Sequence, residues 1–367
     1  MKIGVLYGGR SDEHDVSLCS AASVVSALDS NKYKVTAIGI DRDGKWYVQE
    51  KPEIVVHKDF GKILSLKKRG KWLVNHFQQK NKLHLYNIKN KNEEVVLDIV
   101  FPVLHGTFGE DGTLQGLLEL AMVPYVGADV TSSAIGMDKD IAKRLLKEAG
   151  IPVVPSVTVN KWQWQDNSKL ISQNALDKLG LPVFVKPVCT GSSVGIKKVK
   201  EKELLAEAIN FAFQFDTRVM IEKAIDCREI ECAVLGNDNP VASVLGEIIP
   251  HHEFYSYEAK YIDPNGAALK IPAQIDERLA ETIRKTAVEG YIALGCSSMA
   301  RVDFFLDKKT NEFYLNEINT IPGFTSISMY PKLWEATGLK YSDLLDKLIA
   351  LALERHQKKL EIKTEGV

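Results

Sequence analysis

Cysteine is scarce and scattered in this chain: five residues among 367, at positions 19, 189, 227, 232 and 296, with no CxxC pair and no metal-ligand spacing. That pattern excludes a thiolate zinc cluster and a disulfide scaffold, and points to reduced thiols in a cytosolic protein. Charge of one sign is also lacking. A formal net charge of −1 gives no overall attraction to nucleic acid or to an anionic membrane surface. No stretch approaches ~18 uninterrupted apolar residues, so no membrane span is expected. The start, MKIGVLYGGRSDEH, is apolar for too few residues to be a secretory signal. There is no GxGxxG and no GK[ST] after a glycine loop, which removes the dinucleotide fingerprint and the Walker A loop. Internal repeats and low-complexity blocks are absent.

What is present is an ordinary globular composition, 45% hydrophobic, in a chain long enough for two or three domains. Residues 2–7, 16–28 and 35–41 read as strand, helix and strand, a βαβ opening of an α/β unit. Residues 50–95 are rich in Lys and Asn and read as a surface elaboration such as a hairpin, with no assigned function. Residues 96–104 resume the sheet, 113–120 form a helix and 123–126 a further strand, ending the first unit near 130. A helix at 139–149, stopped by Gly150, opens a small second unit with strands at 153–159 and 183–188 and a helix at 201–213. Between those strands, 160–180 reads as polar loop with a short helix at 172–179. Strands at 219–223, 229–235 and 241–249, an irregular segment at 250–273, and helices at 277–294 and 342–356 make a third, mostly antiparallel unit. The fold class is thus α/β followed by α+β, divided as 1–130, 131–216 and 217–367.

Residues 301–319, RVDFFLDKKTNEFYLNEIN, are two apolar-rich segments flanking a polar turn, the signature of a β-hairpin. A hairpin symmetric about Thr310 places Asp303 opposite Glu317 and Arg301 opposite Asn319, all on one face. The other face, Val302, Phe304, Leu306, Tyr314 and Ile318, is expected on a core. Opposed carboxylates roughly 5 Å apart repel. A hard divalent cation held by carboxylate and amide oxygens compensates them, and Mg²⁺ with nucleotide phosphates is the usual case.

Further segments carry chemistry. Residues 186–196, KPVCTGSSVGI, run from a strand-end lysine into a Gly/Ser loop whose N–H groups and hydroxyls can surround phosphate. Residues 221–229, IEKAIDCRE, offer backbone and side chains to an adenine edge and a carboxylate to ribose hydroxyls. The aromatic stretch 253–263, EFYSYEAKYID, with Tyr255, Tyr257 and Tyr261, has the character of a lid, or of an anchored surface loop. In 319–328, NTIPGFTSIS, a Pro-Gly turn lets a backbone N–H approach a reacting oxygen beside Arg301, an oxyanion arrangement, with hydroxyls at Thr325, Ser326 and Ser328 for a carboxylate. In 8–17, GGRSDEHDVS, either Glu13 or Asp15 can hold a substrate ammonium; helix capping accounts for Asp12 and Asp15 equally well.

The order of these segments, together with HGTFGEDGTLQG at 105–116 and GADVTSSAIGMDK at 127–139, resembles the ATP-grasp ligases, and among them the D-alanine–D-alanine ligases, from residue 2 to about 333. The resemblance implies a three-domain ATP-grasp architecture with an N-terminal Rossmann-like (pre-ATP-grasp) domain, and ATP held between the second and third domains. By matching position, Lys139, Lys186, Ser193, Glu222, Lys223, Ile225 and Glu229 bind ATP, with Lys260 near its phosphates. Asp303, Glu317 and Asn319 bind two Mg²⁺, for which Mn²⁺ can substitute. Glu13 holds the ammonium of the first D-alanine, Ser192 and Tyr261 join it in a hydrogen-bonded group that closes the lid, Arg301 and the Gly323 N–H stabilise the oxyanion, and Ser328 takes the carboxylate of the second D-alanine. The implied partners are two D-alanines and ATP, in a cytoplasmic homodimer that serves peptidoglycan precursor synthesis. Tyr261 in the lid favours the dipeptide over a D-alanine–D-lactate product; D-serine as second substrate stays open. A non-catalytic ATP-binding regulator would lack some metal or arginine positions, and none is missing.

Overall fold

The computed structural model describes residues 1–69, 72–75, 81–90, 93–250 and 266–363. The lid segment lies outside the described residues, and Lys260 and Tyr261 with it. The first sheet orders Trp46–Gln49, Lys34–Ile40, Lys2–Gly8 and Ile99–Pro102, the central two pairings around Lys2–Gly8 being parallel. Ile3, Val5, Leu6 and Tyr7 are all fully buried. A continuous apolar run of this kind marks a strand covered on both faces. The His14–Ala27 helix lies in the core on one side, and Leu114 and Leu118 of the Thr113–Leu120 helix in the core on the other.

Two strand expectations in this unit need correction. The 96–104 run divides between sheets: Glu94–Leu97 belongs to a small sheet with Leu83–Asn87 and Trp72–Asn75, while Ile99–Pro102 joins the main one. Asp98 sits at the break, its N–H donating to Lys2 O (2.9 Å) and its carboxylate accepting from Lys2 N (2.7 Å). Residues 123–126 form no strand, only a single bridge between Val100 and Tyr125. Pro124 has no N–H to extend the ladder. The 50–95 elaboration holds more structure than one hairpin, because Ile54–His57 and Gly61–Leu64 also pair.

The second sheet is antiparallel, in the order Ser156–Asn160, Arg218–Lys223, Val183–Pro187 and Lys197–Val199. It carries the Leu205–Ala212 helix and a Lys161–Leu179 helix where mostly loop was expected. The polar KWQWQDN start hides that helix from an apolar-stripe reading. It is fixed instead by a capping box between Asn160 and Gln163, and it breaks at Asn167 (φ −147°, ψ 63°).

The third sheet orders Ala267–Lys270, Val241–Pro250, Cys227–Leu235, Met299–Asp307 and Phe313–Asn319, all antiparallel. One face packs on the Glu277–Ala293 helix through Ile230, Val302, Phe304, Leu315 and Ile318. The hairpin register is the one inferred for its inner half, Arg301 with Asn319 and Asp303 with Glu317. Beyond Asp303 it shifts, so that Phe304 pairs with Leu315 and Phe305 with Tyr314. The extra residue, Asn316, bulges the strand and exchanges faces. Leu315, not Tyr314, therefore fills the core.

The first and third units share one core. Ile3, Val5 and Phe101 cluster with Phe324, Tyr330, Leu344 and Leu348 of the C-terminal region. A polar seam runs beside it: Ser20 Oγ accepts from Phe324 N (3.2 Å) and pairs with His105 Nε2 (3.0 Å), while His105 Nδ1 pairs with Ile321 O (3.1 Å). Burial lowers the His105 pKa, so the neutral ring serves as a structural strut. The 319–324 turn is thereby held against the His14–Ala27 helix, whose N-cap is Glu13.

Candidate active site

Three adjacent strands of the third sheet place carboxylates in one row. Glu231 faces Asp303, and Asp303 faces Glu317. Arg301 lies on the same face and binds this row. Its Nε donates to Asp303 Oδ1 (2.7 Å), its Nη2 to Asp303 Oδ2 (2.6 Å), and Nε is 3.0 Å from Glu231 Oε2. Asn319 Nδ2 also donates to Asp303 Oδ2 (2.9 Å). Burial opposes the Arg301 charge, but Asp303 and Glu231 outweigh it and hold the guanidinium firmly protonated.

A second charged cluster lies in the second unit. Glu222, 1% exposed, stands between Lys186 of the neighbouring strand, with which it hydrogen-bonds, and Lys143 of the Lys139–Glu148 helix, 2.7 Å away. Burial would raise the Glu222 pKa; Lys143 and Lys186 together overcome it and hold it at about 2. Burial pushes the Lys143 pKa down while Glu222 pulls it back up, so the Lys143 charge depends on that carboxylate. Lys143 had no signal of its own in the sequence, being one lysine of several on an amphipathic helix.

Beside Arg301 runs a cleft lined by Glu13, Glu110, Lys139, Ser192, Arg301, Glu317, Asn319 and Gly323, among others. Ser192 Oγ donates to Glu13 Oε1 (2.5 Å), which joins the first unit to the Gly/Ser loop of the second. Ser192 and Ser193 both adopt left-handed backbone (φ 48° and 63°), which turns the loop sharply at the cleft. Lys139 Nζ donates to Thr190 O (2.5 Å) in the same loop. Gly106 is required where it stands: at φ 71°, a Cβ there would lie 2.6 Å from Glu13 Oε2. Its N–H donates to Glu110 Oε1 (2.9 Å). Burial, and then the charge of Glu13, push the Glu110 pKa up to about 8. Glu110 stands within the HGTFGEDG motif, but nothing in a single sequence shows that it feels the charge of Glu13.

The remaining candidates fall around this centre. Ser328 Oγ accepts from Thr325 N (2.9 Å) and pairs with Thr325 Oγ1 (2.8 Å); Gly323 packs so close that a Cβ would meet Ser328 Oγ at 2.7 Å. Lys223 ends the Arg218–Lys223 strand, Ile225 follows in the connector, and Glu229 lies half-buried in the Cys227–Leu235 strand. Asp15, the other ammonium candidate, pairs with Arg42 (2.9 Å). Among the described residues no group of three or more His, Cys, Asp or Glu is arranged as a metal cage. The donor set of Asp303, Glu317 and Asn319 is hard oxygen, which suits Mg²⁺ completed by phosphates and water. Asp303 Oδ1 accepts from Arg301, and Oδ2 from both Arg301 and Asn319, so an ion held here shares this carboxylate with those donors; the hard-oxygen chemistry of the set fits such an ion.

Residues 2–128 match the D-ala D-ala ligase N-terminus family and residues 145–350 the D-ala D-ala ligase C-terminus family. The chain belongs to the D-alanine–D-alanine ligase family. The D-alanine–D-alanine ligase of Oceanobacillus iheyensis is 48% identical over 364 residues, covering 99% of this chain and 98% of that one. Among solved structures, the D-alanine–D-alanine ligase from Coxiella burnetii superposes with a TM-score of 0.82 at 39% identity, covering 98% and 97% of the two chains. The VanG D-Ala:D-Ser ligase from Enterococcus faecalis gives 0.78 at 40% identity, covering 96% and 99%. Membership brings with it the use of ATP. No helix among the described residues is long and apolar enough to cross a membrane.

Proposed function

We propose that this ligase joins two D-alanines into D-alanyl-D-alanine through a D-alanyl phosphate, for peptidoglycan precursor synthesis. The observation that carries the reading is one cleft on which the Glu13–Ser192 pair, Arg301 and the Gly323 turn converge from different units. In this reading Glu13 holds the ammonium of the first D-alanine and directs its carboxylate toward Arg301. A carboxylate is a poor acyl donor, and the ATP γ-phosphoryl converts it into one with a good leaving group. Lys139 and Lys186 face the phosphates, with Ser193 in the loop between them. Glu222 acts from behind Lys186, keeping that ammonium fixed. Lys223 and Ile225 line the adenine side, Glu229 the ribose, and Lys260 the phosphates.

Asp303, Glu317 and Asn319 would hold the Mg²⁺ ions, or Mn²⁺ in their place, whose charge offsets that of the transferring group. The amine of the second D-alanine attacks the acyl phosphate, the tetrahedral oxygen lies against Arg301 and the Gly323 N–H, and phosphate departs. Ser328 binds the second carboxylate. An acyl phosphate hydrolyses readily, so water must be kept out, the role given to the lid with Tyr261. A cytoplasmic homodimer belongs to this reading on the strength of the resemblance and the scattered thiols.

The test is a coupled phosphate-release assay over a panel of D-amino and D-hydroxy acids with ATP and Mg²⁺. Release that requires D-alanine at both sites is expected, with L-alanine inactive. A second reading, D-alanine–D-serine ligation, is favoured by the 40% identity with the VanG ligase. Faster turnover with D-serine than with D-alanine as second substrate would establish it instead.

A further inference from the structure

Glu231 has no role in the assignments above, yet it completes the carboxylate row. It is 5% exposed, faces Asp303 across the strand pair, and lies 3.0 Å from Arg301 Nε. Arg301 is therefore shared between two carboxylates, one in the candidate metal set and one outside it. Ala233, opposite Arg301, is small enough to let the guanidinium lean over this row.

We propose that Glu231 is a positioning residue for Arg301, holding the guanidinium in place when Asp303 engages the metal. The inference rests on the metal reading of Asp303, Glu317 and Asn319. A metal ion on Asp303 puts two cations on one carboxylate, and their repulsion tends to drive Arg301 off. The Glu231 charge, fixed in the neighbouring strand, supplies an anchor that the metal does not contest. The charge count points the same way. Three carboxylates and one guanidinium leave −2 in this row, and losing Glu231 halves the negative charge that faces the Mg²⁺ ions and Arg301 together.

The experiment compares Glu231→Gln and Glu231→Asp with the wild type, reading kcat, both KM values, the free Mg²⁺ giving half-maximal rate, thermal stability, and calorimetric affinity for ADP with and without Mg²⁺. For Glu231→Gln, kcat falls about tenfold or more and half-saturating Mg²⁺ rises several-fold, while KM for D-alanine changes little. Affinity for Mg·ADP falls, and affinity for metal-free ADP does not. Glu231→Asp, which keeps the charge, recovers most of the loss. An unchanged Mg²⁺ curve and kcat in Glu231→Gln overturns the proposal, as does an equal loss in both variants that tracks a loss of thermal stability. A wild type indifferent to Mg²⁺ overturns the metal reading and this inference with it; a Mg²⁺-dependent wild type with an indifferent Glu231→Gln overturns this inference alone.

Discussion

Replacing Glu222 by Gln should remove the anion from the buried Lys143–Glu222–Lys186 triad and leave two ammonium groups facing each other inside the second unit. The fall of the Glu222 pKa from its ordinary 4.5 to about 2 corresponds to about 3 kcal/mol of stability. Removing one partner of a buried ion pair costs about 3–5 kcal/mol in general, which agrees. The sign follows from linkage. A carboxylate whose folded pKa is depressed contributes fully above about pH 4.5 and loses that contribution as pH falls through about 2. Urea unfolding near pH 7 should therefore place Glu222→Gln about 3 kcal/mol below wild type, and the gap should narrow by about 1 kcal/mol by pH 3.5. The decisive arm is the double variant Lys143→Met/Glu222→Gln, which leaves Lys186 as the one charged group of the three. It should regain at least half of the lost stability, because a charge left buried without a partner is the main penalty. A double variant as unstable as the sum of the singles would refute the triad as an electrostatic unit.

Glu110 offers a pH test of opposite sign. Its folded pKa of about 8 lies above that of an unfolded glutamate, so its contribution is complete in acid and is lost as pH rises through 8. Glu110→Gln should be more stable than wild type at pH 9 and have a flatter stability profile between pH 5 and 9; an unchanged profile contradicts the burial of Glu110 near the Glu13 charge. Asp303→Asn should lower turnover by about 100-fold or more with a smaller stability loss than Glu222→Gln, since electrostatic stabilisation of the reacting centre is lost while Glu231 still faces Arg301 and the strand pairing stays. Near-normal turnover at limiting Mg²⁺ would remove Asp303 from the metal set. Gly323→Ala puts a methyl 2.7 Å from Ser328 Oγ, so either that hydroxyl or the turn must move. The expected outcome is a raised KM for the second D-alanine and a lowered kcat in initial-rate assays, and unaltered kinetics would dissociate this turn from the second site.

The legible parts of the fold were those set by local spacing. The pairing of Asp303 with Glu317 followed from a short turn and a period of two, and the structure has it. The bulge at Asn316 was not legible, because one extra residue in a strand leaves no compositional trace, and it moved Tyr314 off the core face. The Lys161–Leu179 helix escaped for a related reason: it starts on a polar cap and is broken at Asn167, so no long apolar stripe marks it. At the site, Arg301, Glu317, Asn319 and Gly323 are read from their segments, Glu13 as one of two candidates there and Ser192 only through the family resemblance, and the fold brings them to one cleft. Glu110, Lys143, His105 and Glu231 were not named. Each acts through a partner far away in sequence, and a single chain without its contacts does not reveal which lysine meets which glutamate.

The claim on which the rest depends is that Asp303, Glu317 and Asn319 hold a divalent ion beside the nucleotide phosphates. Crystals grown with Mn²⁺ and a non-hydrolysable ATP analogue test it directly, because manganese is located by its anomalous scattering. The account predicts anomalous peaks in direct contact with the side-chain oxygens of these three residues and with the analogue's phosphates. Peaks confined to other residues, or a phosphate chain bound without metal at this strand pair, would contradict it.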